Sequence, residues 1–285
     1  MKASAFRKDG FTMNKMIFPL MTLICFAASD ACFAWNAKTH ETIAKIAELN
    51  VKPATLKKIK AILKDETMVS VSTWADGDIR KTQEETDHWH TVKISVNNAA
   101  LNTHVAAVPS DFTSFYPESN DNVIFQLKRL IKELKDPNTP AETKYIDLKF
   151  LIHFTGDLHM PMHCATNEGK NIIDTEANRA KEKPQTLHNV WDAMLPVKDV
   201  DETAETLSRE ITGAQKKKWS VNNPDAWVFE SYRISRETIF KDIPYKSKYV
   251  TLPKDYKKTM RPIAKERVEQ AGIRLAMLLD YIFAK

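Results

Sequence analysis

Between residues 146 and 157 the chain shows its clearest helical pattern. Ile146, Phe150, His153 and Asp157 fall at i, i+4, i+7 and i+11, one stripe of a helix turned inward. Two of the four are polar. His153 and Asp157 stand one turn apart on that face, and a buried imidazole and carboxylate need partners, since an unpaired buried charge costs several kcal/mol. A divalent cation would satisfy both. Pro161 ends or kinks this helix, and His163 follows at the bend, where it could reach a second ion.

The same spacing predicts helices over 41–50, 53–64, 122–134, 141–159, 187–195, 202–217, 225–240 and 262–283. The last carries Ala264, Val268, Ala271, Leu275, Leu278, Leu279 and Ile282 on a broad apolar face. Residues 72–80 read as a short helix or tight loop. Residues 87–96 alternate weakly and are expected to be extended, with His90, Val92 and Ile94 on one face. Residues 97–120 read as loop, and the polar stretch 166–184 as a surface loop. No internal repeat or linker interrupts the pattern, so the fold class is mainly α, in one domain over 35–285.

Composition changes this picture only at the start. The 285 residues are 43% hydrophobic and 28% charged, ordinary for a globular chain. Residues 1–34 read as a signal peptide: Lys2, Arg7, Lys8 and Lys15 precede an apolar run over 16–28, and Cys32-Phe33-Ala34 resembles a cleavage site. The run is too short for a comfortable membrane span, and a start at Met13 gives a leader of more usual length. Export to a periplasm or the medium is expected, with a mature chain from Trp35 and no stable membrane association. Cleavage removes four basic and two acidic residues and lowers the formal charge from +5 to +3. That balance says little about partners, though it would not repel a polyanion. Cys25 and Cys32 leave with the leader, so Cys164 has no intramolecular disulfide partner.

Candidate chemistry enters through the histidines. Of eight, five stand beside a suitably spaced carboxylate or in a short ligand-rich stretch: His40, His90, His153, His163 and His188. His188 and Asp192 repeat the i, i+4 pairing of His153 and Asp157. Imidazole nitrogen and carboxylate oxygen suit zinc, and no set of thiolates suggests a structural site. One such pair alone is more often a hydrogen bond on a helix surface. Two pairs and a histidine after a proline bend shift the balance to a multi-zinc site, with its ligand set incomplete.

Taken in order, the residues also resemble the S1/P1 nuclease family of zinc-dependent single-strand nucleases. The matching pieces are Trp35 with His40, Trp74-Ala75-Asp76 with Arg80, and Trp89-His90. They continue with His153-Phe154-Thr155-Gly156-Asp157 through Pro161 to His163, Leu187-His188 through Trp191-Asp192, and Ala271-Gly272-Ile273-Arg274-Leu275-Ala276. The resemblance spans the whole mature chain and implies a helical fold shared with zinc phospholipase C. It further implies three zinc ions. Asp76, His90, His153 and Asp157 would hold one, and Trp35 (through its free amine and carbonyl), His40 and Asp157 a second. His163, His188 and Asp192 would hold the third. Asp157 then bridges a close pair, and Asp76 orients or deprotonates the attacking water. The implied reaction is hydrolysis of single-stranded DNA and RNA to 5′-phosphorylated products, with 3′-nucleotidase activity. Since an amide nitrogen is a poor metal ligand, the site would be incomplete until cleavage after Ala34.

The substrate side matches less well. Family members often place an aromatic residue just after the Trp-His histidine and a carboxylate two residues further; here those places hold Thr91 and Lys93. A missing ring removes ~1–3 kcal/mol of stacking per base, and Lys93 could meet a phosphate instead. Gly169-Lys170-Asn171 stands where the family has Gly-Gly-Asn, which makes Asn171 a candidate substrate contact. Structural readings are preferred for His159 (surface or supporting), His88 and His104 (exposed), Trp89, Trp191 and Trp227 (core), Cys164 (small and buried) and 216–218 (a solvated helix end). Two other functions stay open: a zinc phospholipase C and a non-enzymatic zinc-binding secreted protein. The phospholipases space the mature Trp and next histidine further apart and use Glu where this chain has Asp192. Storage has no need of Asp76 beside an open coordination position.

Overall fold

The stripe that ends at Asp157 becomes the helix Ala141–Asp157 in the computed structural model, which describes residues 35–101, 108–116, 121–220 and 223–284. Residues 147–157 are buried without exception, so this part of the central helix is enclosed on every side rather than resting one face on a core. Around it pack Ala37–Asn50, Pro53–Leu63, Val123–Lys135 and the long C-terminal helix Tyr256–Phe283. A helix buried all round tolerates polar groups only where each finds a partner. Lys149 meets that condition: its ammonium lies 3.3 Å from both Glu66 carboxylate oxygens, 3.2 Å from the Tyr145 hydroxyl and 4.6 Å from the centre of a Trp74 ring.

The first helix is capped by Asn36, whose side chain accepts the Thr39 N–H at 3.0 Å. It crosses the C-terminal helix at Gly272. A Cβ at 272 would lie 2.4 Å from Ile46 Cγ2, 2.6 Å from Ile46 Cβ and 3.2 Å from the Ile43 carbonyl oxygen, so the glycine sets the closeness of the crossing. Gly272→Ala is expected to cost about 1–3 kcal/mol by overpacking, read as a lower urea midpoint with an unchanged slope.

The fold is mainly α, as the periodicity predicts, with several local differences. The C-terminal helix starts at Tyr256, and Pro262 lies inside it near its exposed end, where water can take the carbonyl that proline leaves unbonded. The 202–217 pattern breaks into Val200–Glu210 and Gly213–Trp219. Between them Thr212 and Gln215 form a reciprocal capping box, with bonds of 3.2 and 2.9 Å. Within 87–96, Glu84–His90 is a 3₁₀ helix, and only Ile94–Ser95 forms a strand, parallel to Ala165–Thr166; His90, Val92 and Ile94 are still all buried. The stretch 166–184 is not a loose surface loop. Ile172–Ile173 pairs in parallel with Tyr249–Val250, Glu176–Arg179 is a short helix, and Asn167, Asn171 and Asn178 are buried.

The expected leader over 1–34 and His104 lie outside the described residues. Among those described, no helix is long and apolar enough to cross a membrane.

Candidate metal centre

Asp157, at the C-terminal end of the central helix, is the hub of the site. Its Oδ2 lies 3.0 Å from His90 Nδ1 and 3.3 Å from His153 Nε2, while Oδ1 lies 3.5 Å from His40 Nε2 and 3.7 Å from His163 Nδ1. One carboxylate thus divides its two oxygens between two pairs of imidazoles. All five side chains are buried.

Each histidine is aimed by the fold. His153 Nδ1 donates to the Ser72 carbonyl at 2.6 Å, which fixes the tautomer and turns the Nε2 lone pair into the cluster. His163 sits in the short helix Pro161–Cys164, where Pro161 occupies the first turn, the place a proline tolerates best. Its Nδ1 donates to the His90 carbonyl at 2.9 Å, and the Val92 N–H returns a bond to the His163 carbonyl at 2.8 Å. The two-residue strand pair that follows continues this clasp, so the parallel strands serve to hold His90 and His163 together. His40 stacks on His153 with ring centres 4.0 Å apart. It fits there because residue 156 is glycine: a Cβ would stand 2.9 Å from His40 Nδ1.

Asp76 ends the 3₁₀ turn Trp74–Asp76 and comes within 3.6 Å of both His90 Nδ1 and His153 Nε2. Arg80 holds it, donating to Asp76 Oδ1 at 2.9 Å and to Asp87 through Nε. His188 and Asp192 come from the helix Leu187–Asp192, with His188 Nε2 3.3 Å from Asp192 Oδ1 and its ring centre 5.1 Å from that of His163. The Asn36 N–H donates to the Asp192 carbonyl at 3.0 Å, which brings the backbone next to the buried Trp35 alongside that helix.

The electrostatics favour positive charge beside Asp157. Burial works against a charge on His153, yet Asp157 and Asp76 outweigh it and lift the imidazole to about 9. Burial likewise opposes ionisation of Asp157, and His153 and His90 overcome it and hold the carboxyl well below its usual range. Burial pushes His163 down to about 4 and His40 well below 6.5, which keeps both neutral and able to ligate. Burial, reinforced by Asp76 and Asp157, raises Asp192 well above an ordinary carboxyl; it would ionise readily only beside positive charge. His40 Nε2, His90 Nε2, His163 Nε2, Asp157 Oδ1 and Asp192 Oδ1 are buried without a hydrogen-bond partner, against the strong tendency of buried polar atoms to be paired. Among the described residues, His90, His153 and Asp157, and also His40, Asp76 and His153, offer donor atoms within 4.8 Å of one another. His163, His188 and Asp192 are not drawn that close. The nitrogen and oxygen donors fit a divalent cation.

Beside His188 opens a cavity of about 150 Å³, lined in part by Lys93, Met162, Asn171 and Phe240. Lys93 is exposed at its edge. Asn171 is buried with a left-handed φ of 48°. Its amide is engaged by the loop itself: Nδ2 donates to Asn167 Oδ1 at 2.6 Å and to the Gly169 carbonyl at 2.9 Å, and Oδ1 accepts from Asn167 at 2.8 Å.

Sequence reasoning missed Ser72, Gly156 and Asp87, whose roles are a carbonyl, an absent Cβ and an Arg80 contact. Only Gly156, inside the His153–Asp157 motif, carried a signal. Other histidines fall outside the cluster. His88 is exposed. His159 is fully buried rather than at the surface: its Nδ1 donates to the Thr155 carbonyl at 2.7 Å and its Nε2 accepts from Arg274 at 3.1 Å. Trp191 and Trp227 are core and Trp89 half-buried. Cys164 is buried, and burial pushes its thiol up to about 12, which rules it out as a ready nucleophile. Lys216 donates to Asn50 at 2.7 Å, and Lys217 and Lys218 are exposed.

A mainly helical fold closed around a buried histidine–carboxylate cluster defines a helical protein with a candidate metal site. The S1/P1 Nuclease family pattern matches residues 35–284, and the chain belongs to that family. It is 24% identical to Endonuclease 1 of Arabidopsis thaliana, over 99% of this chain and 96% of that protein. It is 25% identical to Nuclease S1 of Aspergillus oryzae, over 90% and 94% respectively, and 24% identical to Nuclease P1 of Penicillium citrinum, over 62% and 67%.

Proposed function

We propose that this chain is an exported zinc-dependent endonuclease. It would cleave single-stranded DNA and RNA to 5′-phosphorylated products and remove 3′-phosphates from mononucleotides. Residues 1–34 act as a leader lost on export, and 35–285 as the catalytic domain. The observation that carries the reading is the set of buried, unpartnered donor atoms around Asp157, in a chain whose family and relatives are named as nucleases.

Asp76, His90, His153 and Asp157 would hold one zinc ion, Trp35, His40 and Asp157 a second, and His163, His188 and Asp192 a third. Zinc bound there would supply Lewis acidity and bring the pKa of a water near neutrality, to about 7. The protein's own groups do the positioning. Ser72 and the His90 carbonyl hold the rings of His153 and His163 in one tautomer. Asp76, steadied by Arg80, orients the attacking water or takes its proton. Lys93, at the cavity beside His188, meets a substrate phosphate. Asn171 touches substrate in the wall of the same cavity while its amide closes the loop. No base need be read for this chemistry.

The test is a panel of substrates given to the protein beginning at Trp35: single-stranded DNA, RNA, a 3′-mononucleotide and phosphatidylcholine. Chelator-sensitive cleavage of the first three is expected. Cleavage of the lipid alone would move the function to a phospholipase, and bound zinc without hydrolysis would leave a storage protein.

A further inference from the structure

The wall of the cavity continues outward into a surface that the reaction does not use. Gly169 abuts Ser247 so closely that a Cβ would lie 2.2 Å from the Ser247 carbonyl oxygen. The Lys246 N–H donates to the Asn167 carbonyl at 2.8 Å, the Asn171 N–H to that of Ser247 at 3.1 Å and the Ile172 N–H to that of Lys248 at 2.9 Å. These bonds fix the sequence Tyr245-Lys246-Ser247-Lys248-Tyr249 against residues 167–172, of which Gly169, Lys170 and Asn171 line the cavity.

Tyr245 and Tyr249 are 41% and 36% exposed, and each ring has at least one cation over it. The Lys246 ammonium lies 5.3 Å from the Tyr245 ring centre, and the Lys248 ammonium and Arg179 guanidinium lie 5.0 and 4.8 Å from that of Tyr249. The neighbouring carboxylates are already paired: Glu168 with Lys246 at 3.4 Å, and Asp174 with Arg179. Among the described residues Lys93, Lys170 and Lys248 make no ion pair, and all three are exposed.

We propose that Tyr245 and Tyr249, with Lys170 and Lys248, form a track on which a single strand continues beyond the cavity, its bases stacked on the rings and its phosphates met by the ammonium groups. The inference rests on the nuclease reading and says how a long strand is held once one nucleotide occupies the cavity. Rings interleaved with cations are the sequence-tolerant composition of single-strand binding surfaces. Paired bases do not offer their faces in this way, so the track selects unpaired strands.

The test uses the zinc-loaded protein from Trp35 and two variants, the Tyr245→Ala/Tyr249→Ala double variant and Lys248→Gln. Each is assayed on a dinucleotide and on a long oligothymidylate. In the tyrosine variant kcat/KM for the long strand should fall about tenfold, through KM, while the dinucleotide value changes less than about twofold. Lys248→Gln should flatten the salt dependence of long-strand cleavage by about one phosphate contact. Equal losses on both substrates, or none on either, overturn the track, and cleavage of the long strand by the unaltered protein then leaves the nuclease reading standing. If the unaltered protein cleaves neither strand, the nuclease reading fails and the track with it. Tyrosine-dependent binding to phosphatidylcholine vesicles, undisturbed by the oligonucleotide, would assign the surface to lipid and overturn the track as well.

Discussion

Asp157→Asn is expected to lower cleavage of single-stranded DNA by about a thousandfold or more and to strip most of the bound zinc. The carboxylate is fully buried, and its two oxygens face four histidine nitrogens between 3.0 and 3.7 Å. Asparagine keeps the shape and removes the charge that two proposed ions share. Metal stabilisation of the transition state is worth several kcal/mol, and each ~1.4 kcal/mol is a factor of ten in rate, so losing a bridging ligand reaches about a thousandfold. Elemental analysis beside the kinetics separates this from misfolding: circular dichroism should stay helical while the zinc content drops. A variant that keeps its zinc and its rate would show that Asp157 is not the bridge.

Chelation is expected to lower the melting temperature by about 10 °C or more, because an ion bound at a thousand times its Kd contributes about 4 kcal/mol and a domain of this size shifts by ~2–4 °C per kcal/mol. The drop should shrink in a variant lacking His163 and His188, which has already lost one proposed site. The chelated protein should also show a distinctive pH profile. His153 is raised above its unfolded value, so its contribution is complete below about 6.5 and is lost as pH rises through about 9. Asp192, also raised, acts in the same direction. Stability of the metal-free protein should therefore decline between about pH 6.5 and 9, whereas the zinc-loaded protein should hold level across that window. A chelated protein that melts where the loaded one does, at every pH, would remove metal from the account of stability.

What the sequence shows of this site is its own periodicity. His153 and Asp157, and His188 and Asp192, are read correctly as single-turn pairs because a helix brings i and i+4 together without help from the rest of the chain. The helix that carries Asp157 is legible too, though the all-round burial of residues 147–157 is not, since enclosure depends on partners elsewhere in the sequence. The groups that aim the ligands are harder to see. The Ser72 carbonyl reaches His153 across 81 residues, and a backbone carbonyl has no side-chain identity to betray it. The strands that pair Ile94 with Ala165 and Ile172 with Tyr249 are each two residues long, too short to display an alternating period. Asn171 is picked out only by the resemblance at Gly169-Lys170-Asn171, and its engagement with Asn167 depends on a left-handed turn that the sequence leaves unspecified.

The most direct test of the whole reading is a zinc count on the protein beginning at Trp35, with cleavage of single-stranded DNA followed as a chelator removes the metal. The account predicts about three zinc ions per chain, lost in step with activity, and a protein that keeps residues 1–34 should bind fewer. Full cleavage with no bound zinc, or cleavage that survives complete chelation, would contradict it.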